Sequence, residues 1–264
     1  MGQIICITSQ KGGVGKTTTA VNLSTALAIA EKKSLLIDCD PQGHATSGMG
    51  IDKAKLKATL YHVMTGKALI DKSIINSDLE SLKTLPARSD LLRAEAELMS
   101  KPGKEKILRN LLSEIKEAYD YIIIDTPPSL SLLTVNAISA ADYLLIPLQC
   151  EFYALEGMEH LLKTVRIVKK HFNPGLKIAG VFLTMFEMGE KYSGRIGNAA
   201  RNHFKNMVFK TVIPRSMQLR ESPVHGKPLL LKDISSIAAQ SYLQLANELM
   251  DRQERNFLHE NNRL

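Results

Sequence analysis

The chain has 264 residues, 44% hydrophobic and 23% charged, enough apolar content to bury a sizeable core and to exclude wholesale disorder. Its formal net charge is +7, an excess that composition alone assigns equally to a polyanionic partner or to a solvated basic surface. No apolar run approaches the roughly 20 residues of a membrane span, and no basic leader with a cleavage site opens the sequence. Met1-Gly2 does not make a myristoylation signal, because position six is Cys6. Three scattered cysteines, Cys6, Cys39 and Cys150, form no CxxC pair and support neither a disulfide framework nor a zinc site. All three are expected to be core-packing thiols in a reducing cytoplasm.

Residues 4–9 read as a strand, 17–30 as a helix, 34–38 as a strand and 82–85 as a further short strand. An amphipathic helix is expected over 104–118, a strand over 121–125 and a helix over 131–140. The pattern continues with a strand at 143–147, a helix at 154–171, a strand at 178–184 and a helix at 195–205. A last strand lies near 208–213, before a long helix over 235–255. The strands are near-continuous apolar runs, so both their faces must be covered. That predicts an α/β fold, a doubly wound, mostly parallel sheet between helix layers. One domain is expected over 1–264, with phosphate and metal chemistry in 1–150, a basic half in 151–250 and a polar tail over 251–264. Ligands of such sheets sit at the carboxyl ends of strands, which directs attention to the residues just after 9, 38, 125 and 147.

After the first strand comes Lys11-Gly12-Gly13-Val14-Gly15-Lys16-Thr17-Thr18. It meets the GxxxxGK[ST] phosphate-loop pattern, with a strand before it and a helix after it. The glycines let backbone N–H groups converge into an anion nest. Lys16 can reach the β- and γ-phosphates and Thr17 can place its hydroxyl on Mg²⁺, while the helix N-terminus adds partial positive charge. Three aspartates end apolar strands: Asp38 and Asp40 after SLLI, and Asp125 after YIII. A carboxylate at the end of a buried strand is costly without a cation and is well placed to bind a magnesium shell. Asp125 therefore reads as the Walker B residue, holding Mg²⁺ through water, and Asp40 as the group that orients an attacking water. Turn and helix-cap duties are the plainer alternative for aspartates.

Lys11 is not required by an ordinary phosphate loop. KGGVGKTT resembles the deviant Walker A motif of the ParA/MinD family of P-loop ATPases, and the likeness extends over DxDPQG, DTPPS and PLQCEFYALEG, from Gly2 to about Met250. The resemblance implies an ATP-dependent sandwich homodimer in which Lys11 reaches the partner's phosphates, with Gly12 at the close approach of the facing backbone. It implies that Asp38 supports the metal shell and that Asp40 positions or activates the water. Met185, Pro214 and Ser216 match the loops that cradle the adenine, although Met185 reads equally well as core. His44 stands where the family usually has Asn and is expected to be a surface loop residue.

Charge is divided unevenly along the chain. Residues 1–150 carry 17 basic and 16 acidic groups, whereas 163–232 hold 14 Lys/Arg against Glu187, Glu190 and Glu221. No helix-turn-helix, zinc finger or basic zipper is recognisable, so cations spaced for a phosphate backbone are the available instrument. The resemblance to ParA/Soj proteins implies non-specific binding of double-stranded DNA by the ATP dimer, cytoplasmic and nucleoid-associated. It also implies chromosome or plasmid partitioning, with slow hydrolysis stimulated by a ParB-type centromere-binding partner. Relatives often carry contacting arginines where this chain has Gly189 and Gln218; Lys191, Arg195, Arg215 and Arg220 are the expected substitutes. The competing reading, a MinD-like membrane-associated positioning ATPase, is disfavoured by the mixed charges and few apolar anchors of residues 251–264. An iron–sulfur reductase is disfavoured by the lack of a bridging cysteine pair, and a tyrosine kinase by the absence of a tyrosine cluster in the tail. A scaffold with purely structural nucleotide is disfavoured by Lys16, Asp40 and Asp125. No DNA-reading domain ahead of Ile4, hence no operator-specific autoregulation, and no membrane partner are expected.

Overall fold

The computed structural model describes residues 2–151, 154–187 and 189–261. In chain order the elements are β1 (Gln3–Ile7), α1 (Lys16–Ile29), β2 (Ser34–Asp38), α2 (His44–Gly48), α3 (Leu60–Met64), α4 (Ile70–Ser73), β3 (Ile75–Asn76), β4 (Leu82–Leu85), α5 (Leu91–Leu98) and α6 (Ile107–Ser113). They continue with β5 (Tyr121–Asp125), α7 (Leu132–Ala140), β6 (Tyr143–Gln149), α8 (Ala154–His171), β7 (Lys177–Phe186), α9 (Lys191–Phe204), β8 (Val208–Pro214), α10 (Met217–Glu221), α11 (Leu229–Lys232) and α12 (Ile237–Asn261). Among the described residues eight strands form one sheet, ordered β3-β4-β2-β5-β1-β6-β7-β8. All neighbours run parallel except β3 and β4. The doubly wound sheet expected from the apolar runs is present.

Those runs are continuous because side chains alternate between two buried faces. Ile4, Cys6, Ile37, Ile122 and Ile124 join the cluster capped by helices including α3, α5, α6, α7 and α8. Ile5, Ile7, Leu36 and Ile123 join the opposite cluster, capped by α1, α11 and α12. Each fully buried Ile or Leu stabilises the fold by about 1.5–3 kcal/mol, so neither face can be left open. α1 shows the consequence: from Thr19 to Ala28 every residue is buried. Its Ser24 and Thr25 hydroxyls donate back to Ala20 O (2.7 Å) and Val21 O (2.8 Å), so polar residues are tolerated there. Cys6 and Cys39 are fully buried as expected, whereas Cys150 is only half-buried.

Strand order reverses at β1. The chain reaches β2 by passing over the position of β5, then places β6 on the other side of β1. Such a reversal opens a crevice at the carboxyl ends of the strands, here after β1, β2 and β5.

Three departures from the sequence reading have local causes. The helix expected over 104–118 is α6 alone, flanked by 3₁₀ turns at 104–106 and 116–118. Asn136 on α7 breaks it: its Oδ1 accepts from Leu108 N (3.1 Å) while its Nδ2 donates to Lys104 O (2.7 Å), capping the helix from outside. The stretch from 44 to 100 holds the short elements α2 to α4 and β3, and the amphipathic α5, which buries Leu91, Ala94 and Leu98. The last helix continues to Asn261, through most of the segment read as a polar tail.

Both edges of the sheet are blunted. β3 is two residues long. On β8, Lys210 N and Thr211 N each donate to Glu248 of α12 at 2.9 Å. Arg252 binds Glu248 Oε1 (2.8 Å) and Val208 O (2.8 Å) and lies 3.9 Å from the centroid of the Phe209 ring.

Candidate nucleotide site

The crevice is built around the turn between β1 and α1. Gly13 (φ 75°) and Gly15 (φ 90°) take left-handed backbone conformations that a side chain would strain, which lets the chain fold back and start α1 at Lys16. Val14, 2% exposed, anchors the loop. Its carbonyl accepts from the Thr184 hydroxyl at the end of β7 (2.9 Å), and the Thr126 hydroxyl after β5 donates to Ile7 O (2.8 Å). The loop is thus tied to three strand ends. Gly12 faces open space, where an added Cβ would meet nothing within 4 Å.

Lys16 is 7% exposed, and its Nζ donates into its own loop, to Lys11 O at 3.1 Å. Burial lowers its pKa from the ordinary lysine value, while Asp125 and Asp40 oppose that shift. The two strand-end aspartates, Asp38 and Asp125, are register partners on β2 and β5, and both are fully buried. Their environments differ sharply. Asp38 Oδ2 accepts from Thr46 N and Thr46 Oγ1, each at 2.7 Å, and its Oδ1 from Asp40 N at 3.1 Å. Neither Asp125 oxygen has a hydrogen-bond partner among the described residues. Burial first, then the charge of Asp38, hold the Asp125 carboxyl well above the usual carboxylate range; the Thr17 hydroxyl and the Lys16 ammonium pull the other way without offsetting this. A buried, unpartnered carboxylate is costly unless a cation compensates it. The donor set of Thr17, Asp38 and Asp125 therefore fits a hard divalent ion with part of its water shell. Asp40, half-buried, accepts from Gln42 N (2.9 Å), which fixes the turn that carries it.

Lys11 leaves the loop at its rim and pairs with Glu151 at 2.5 Å. On the other flank of α1, a cavity of about 310 Å³ is lined by Gly15, Thr18, Met185, Pro214, Ser216 and Tyr242, among others. This brings together the three residues matched to adenine loops. Met185 holds φ 51°, a left-handed conformation uncommon without glycine. Ser216 caps α10 by accepting from Leu219 N (3.4 Å).

The cations singled out for DNA are spread over several elements. Arg195 on α9 and Arg220 on α10 are exposed. Arg215, at the end of β8, is paired with Glu187. Lys191 opens α9, and its side chain lies outside the described residues. Gln218 donates to Asp233 Oδ2 (3.0 Å). His44 is exposed at the start of α2, as expected of a surface loop residue.

The sequence reading missed three residues. Thr46 orients Asp38 and also accepts from Ala87 N (2.9 Å), linking the site to the end of β4. Thr184 holds the loop, and Tyr242 lines the cavity and bonds Thr19 (3.1 Å). Only the hydroxyl of Thr46, within the same motif as Asp38, offered a signal.

The wider likeness agrees with this geometry. A family model described as an AAA domain matches residues 2–178. Sporulation initiation inhibitor protein Soj of Bacillus subtilis is 49% identical over 94% of this chain and 98% of its own length. Chromosome partitioning protein ParA of Myxococcus xanthus is 48% identical over 96% of this chain and 89% of its own length. A crystal structure from Mycobacterium smegmatis, named cobyrinic acid a,c-diamide synthase and holding ADP and magnesium, superposes with a TM-score of 0.85 at 31% identity, covering 96% of both chains. With a glycine-built phosphate loop, paired strand-end aspartates and relatives of this closeness, the chain belongs to the ParA/Soj family of chromosome-partitioning P-loop ATPases.

Proposed function

We propose that the chain hydrolyses ATP to ADP and phosphate with Mg²⁺, and that ATP joins two copies into a dimer that binds double-stranded DNA non-specifically. The observation that carries the reading is the buried, unpartnered Asp125 carboxylate beside Lys16 at the foot of the phosphate loop. The triphosphate lies in the nest from Lys11 to Thr18, with the adenine in the cavity walled by Met185, Pro214 and Ser216. Lys16 exchanges its bond to Lys11 O for the β- and γ-phosphates, which strengthens as water leaves the crevice. Thr17 and, through water, Asp125 would hold the metal, with Asp38 supporting its shell, and the metal would supply neutralisation of charge spread over the transferring phosphoryl oxygens. Asp40 orients the attacking water and accepts its hydrogen bond. Lys11 reaches the nucleotide of the facing copy, as an arginine finger does.

Dimerisation doubles the cations presented to one duplex. Because salt dependence grows by about 0.9 for each phosphate neutralised, a weak basic face on one chain becomes an effective one on two. This supports ATP-gated DNA binding on the nucleoid, while the likeness to ParA and Soj proteins supports a role in partitioning chromosomes or plasmids with a ParB-type partner that stimulates hydrolysis. Among the described residues no helix is long and apolar enough to cross a membrane.

Trapping the ATP state tests the reading. Asp40→Ala should bind ATP with near wild-type affinity, hydrolyse it about 10²–10⁴-fold more slowly, and remain dimeric on DNA in a gel-filtration assay. Wild-type turnover by this variant removes Asp40 from the mechanism.

A further inference from the structure

We propose that Glu151 is a positioning residue for Lys11: it holds the lysine on its own chain until a second copy competes for it. The proposal rests on the reading that Lys11 acts across a dimer. Both oxygens of the Glu151 carboxylate are engaged. Oε2 meets Lys11 Nζ at 2.5 Å, and Oε1 accepts from Gln149 Nε2 at 2.5 Å. Gln149 is 9% exposed at the end of β6, so one half of this clamp belongs to the sheet. A tight turn sets the other half, with Glu151 N donating to Gln149 O (2.8 Å). Gln149 is also the register partner of Thr184, whose hydroxyl anchors Val14. The carboxylate and the loop that carries Lys11 are therefore referenced to the same strand ends.

The arrangement suits a reversible hold. When Lys11 leaves, Glu151 keeps its Gln149 partner and stays half-exposed, so the carboxylate is not stranded in an apolar site. The lysine and glutamate side chains are 36% and 48% exposed, which places the pair among surface ion pairs, each shifting an equilibrium by about 1.5–5-fold. A sandwich dimer releases two such lysines, so the effects multiply to about 2–25-fold on the dimer dissociation constant. That is enough to tune dimerisation against nucleotide without forbidding it.

Sedimentation equilibrium of the full chain with Mg²⁺ and a non-hydrolysable ATP analogue tests the hold. Glu151→Gln should tighten the dimer about 2–25-fold at ~50 mM salt, and the gain should shrink by ~0.5 M, where exposed charges are screened. Glu151→Asp should return part of the wild-type value. Lys11→Ala should lack the dimer, and adding Glu151→Gln to it should not restore one. An unchanged or weaker dimer in Glu151→Gln, with Lys11→Ala still monomeric, refutes the hold and leaves the trans role standing. Dimers restored in the double variant would mean general charge repulsion, and also refute it. A Lys11→Ala chain that dimerises like the wild type sinks the trans reading itself.

Discussion

The phosphate loop with its aspartates and the basic stretch of 163–232 do their work by opposite means. The first concentrates a few groups in a buried crevice, where each is over-determined: Val14 by Thr184, Asp38 by Thr46 and Asp40, the loop start by Thr126. The second spreads many cations over exposed helices and loops, some already paired, as Arg215 is with Glu187. Buried charge acts through low dielectric and short distance, so single residues matter there. Exposed charge acts by number, so no one residue should matter much. In the proposed function the crevice is assigned the chemistry and the basic half the affinity for DNA.

Substitutions in each region should expose that difference. The largest effect is expected from Lys16→Ala, which removes the charged donor in the nest. ATP affinity should fall at least about 100-fold, since charge-assisted hydrogen bonds are roughly twice as strong as neutral ones and this one is shielded from water. Calorimetric titration showing near-normal binding would falsify the nucleotide site.

Asp125→Asn separates stability from function within the crevice. A carboxyl whose folded pKa is raised contributes stability below its unfolded pKa, near the ordinary aspartate range, and loses it as pH rises toward the folded value. At neutral pH and without Mg²⁺ the burial of this carboxyl thus weakens the fold. Removing its charge should raise stability by on the order of 1–3 kcal/mol, read as a rise in melting temperature of about 2–4 °C per kcal/mol, while hydrolysis is lost. The gain should disappear in acid, where wild-type Asp125 is neutral. A lower melting temperature at pH 7 would place the carboxylate's partner inside the protein.

The smallest effect per residue is expected on the basic side. Reversing Arg195, which does not line the adenine cavity, should leave ATP binding unchanged and weaken DNA binding. The salt slope should fall by about 0.9 for each phosphate no longer neutralised, as read by fluorescence anisotropy across a salt series. Reversing Arg215 should do less, because Glu187 already offsets its charge. An unaltered slope would move the DNA face elsewhere.

The two regions also differed in how far the sequence reveals them. The strands were legible because their apolar runs must be buried on both sides, and the nest because glycine, lysine and hydroxyl groups act through backbone spacing. What was not legible depends on distant partners. Tyr242 meets Thr19 across 223 positions and Thr184 meets Val14 across 170. α3 buries Leu60, Tyr61, Val63 and Met64 but is too short to show a period, and its start is set by Thr59 N and Oγ1 against His62 Nδ1; α6 is cut short by Asn136. The motif also left the difference between Asp38 and Asp125 unseen. Both end apolar strands, and only packing shows that one accepts from Thr46 and Asp40 while neither oxygen of the other has a hydrogen-bond partner among the described residues.

The clasp on β8 has a consequence for a protein expected to crowd onto a polymer. Open strand edges are templates for uncontrolled joining, and high local concentration makes them dangerous. Here one end of the sheet is a two-residue strand, and the other has its amides spoken for by Glu248 under the guanidinium of Arg252. Strand addition at Lys210 and Thr211 is thereby blocked, and the association proposed above runs through the nucleotide face, where loss of nucleotide would undo it.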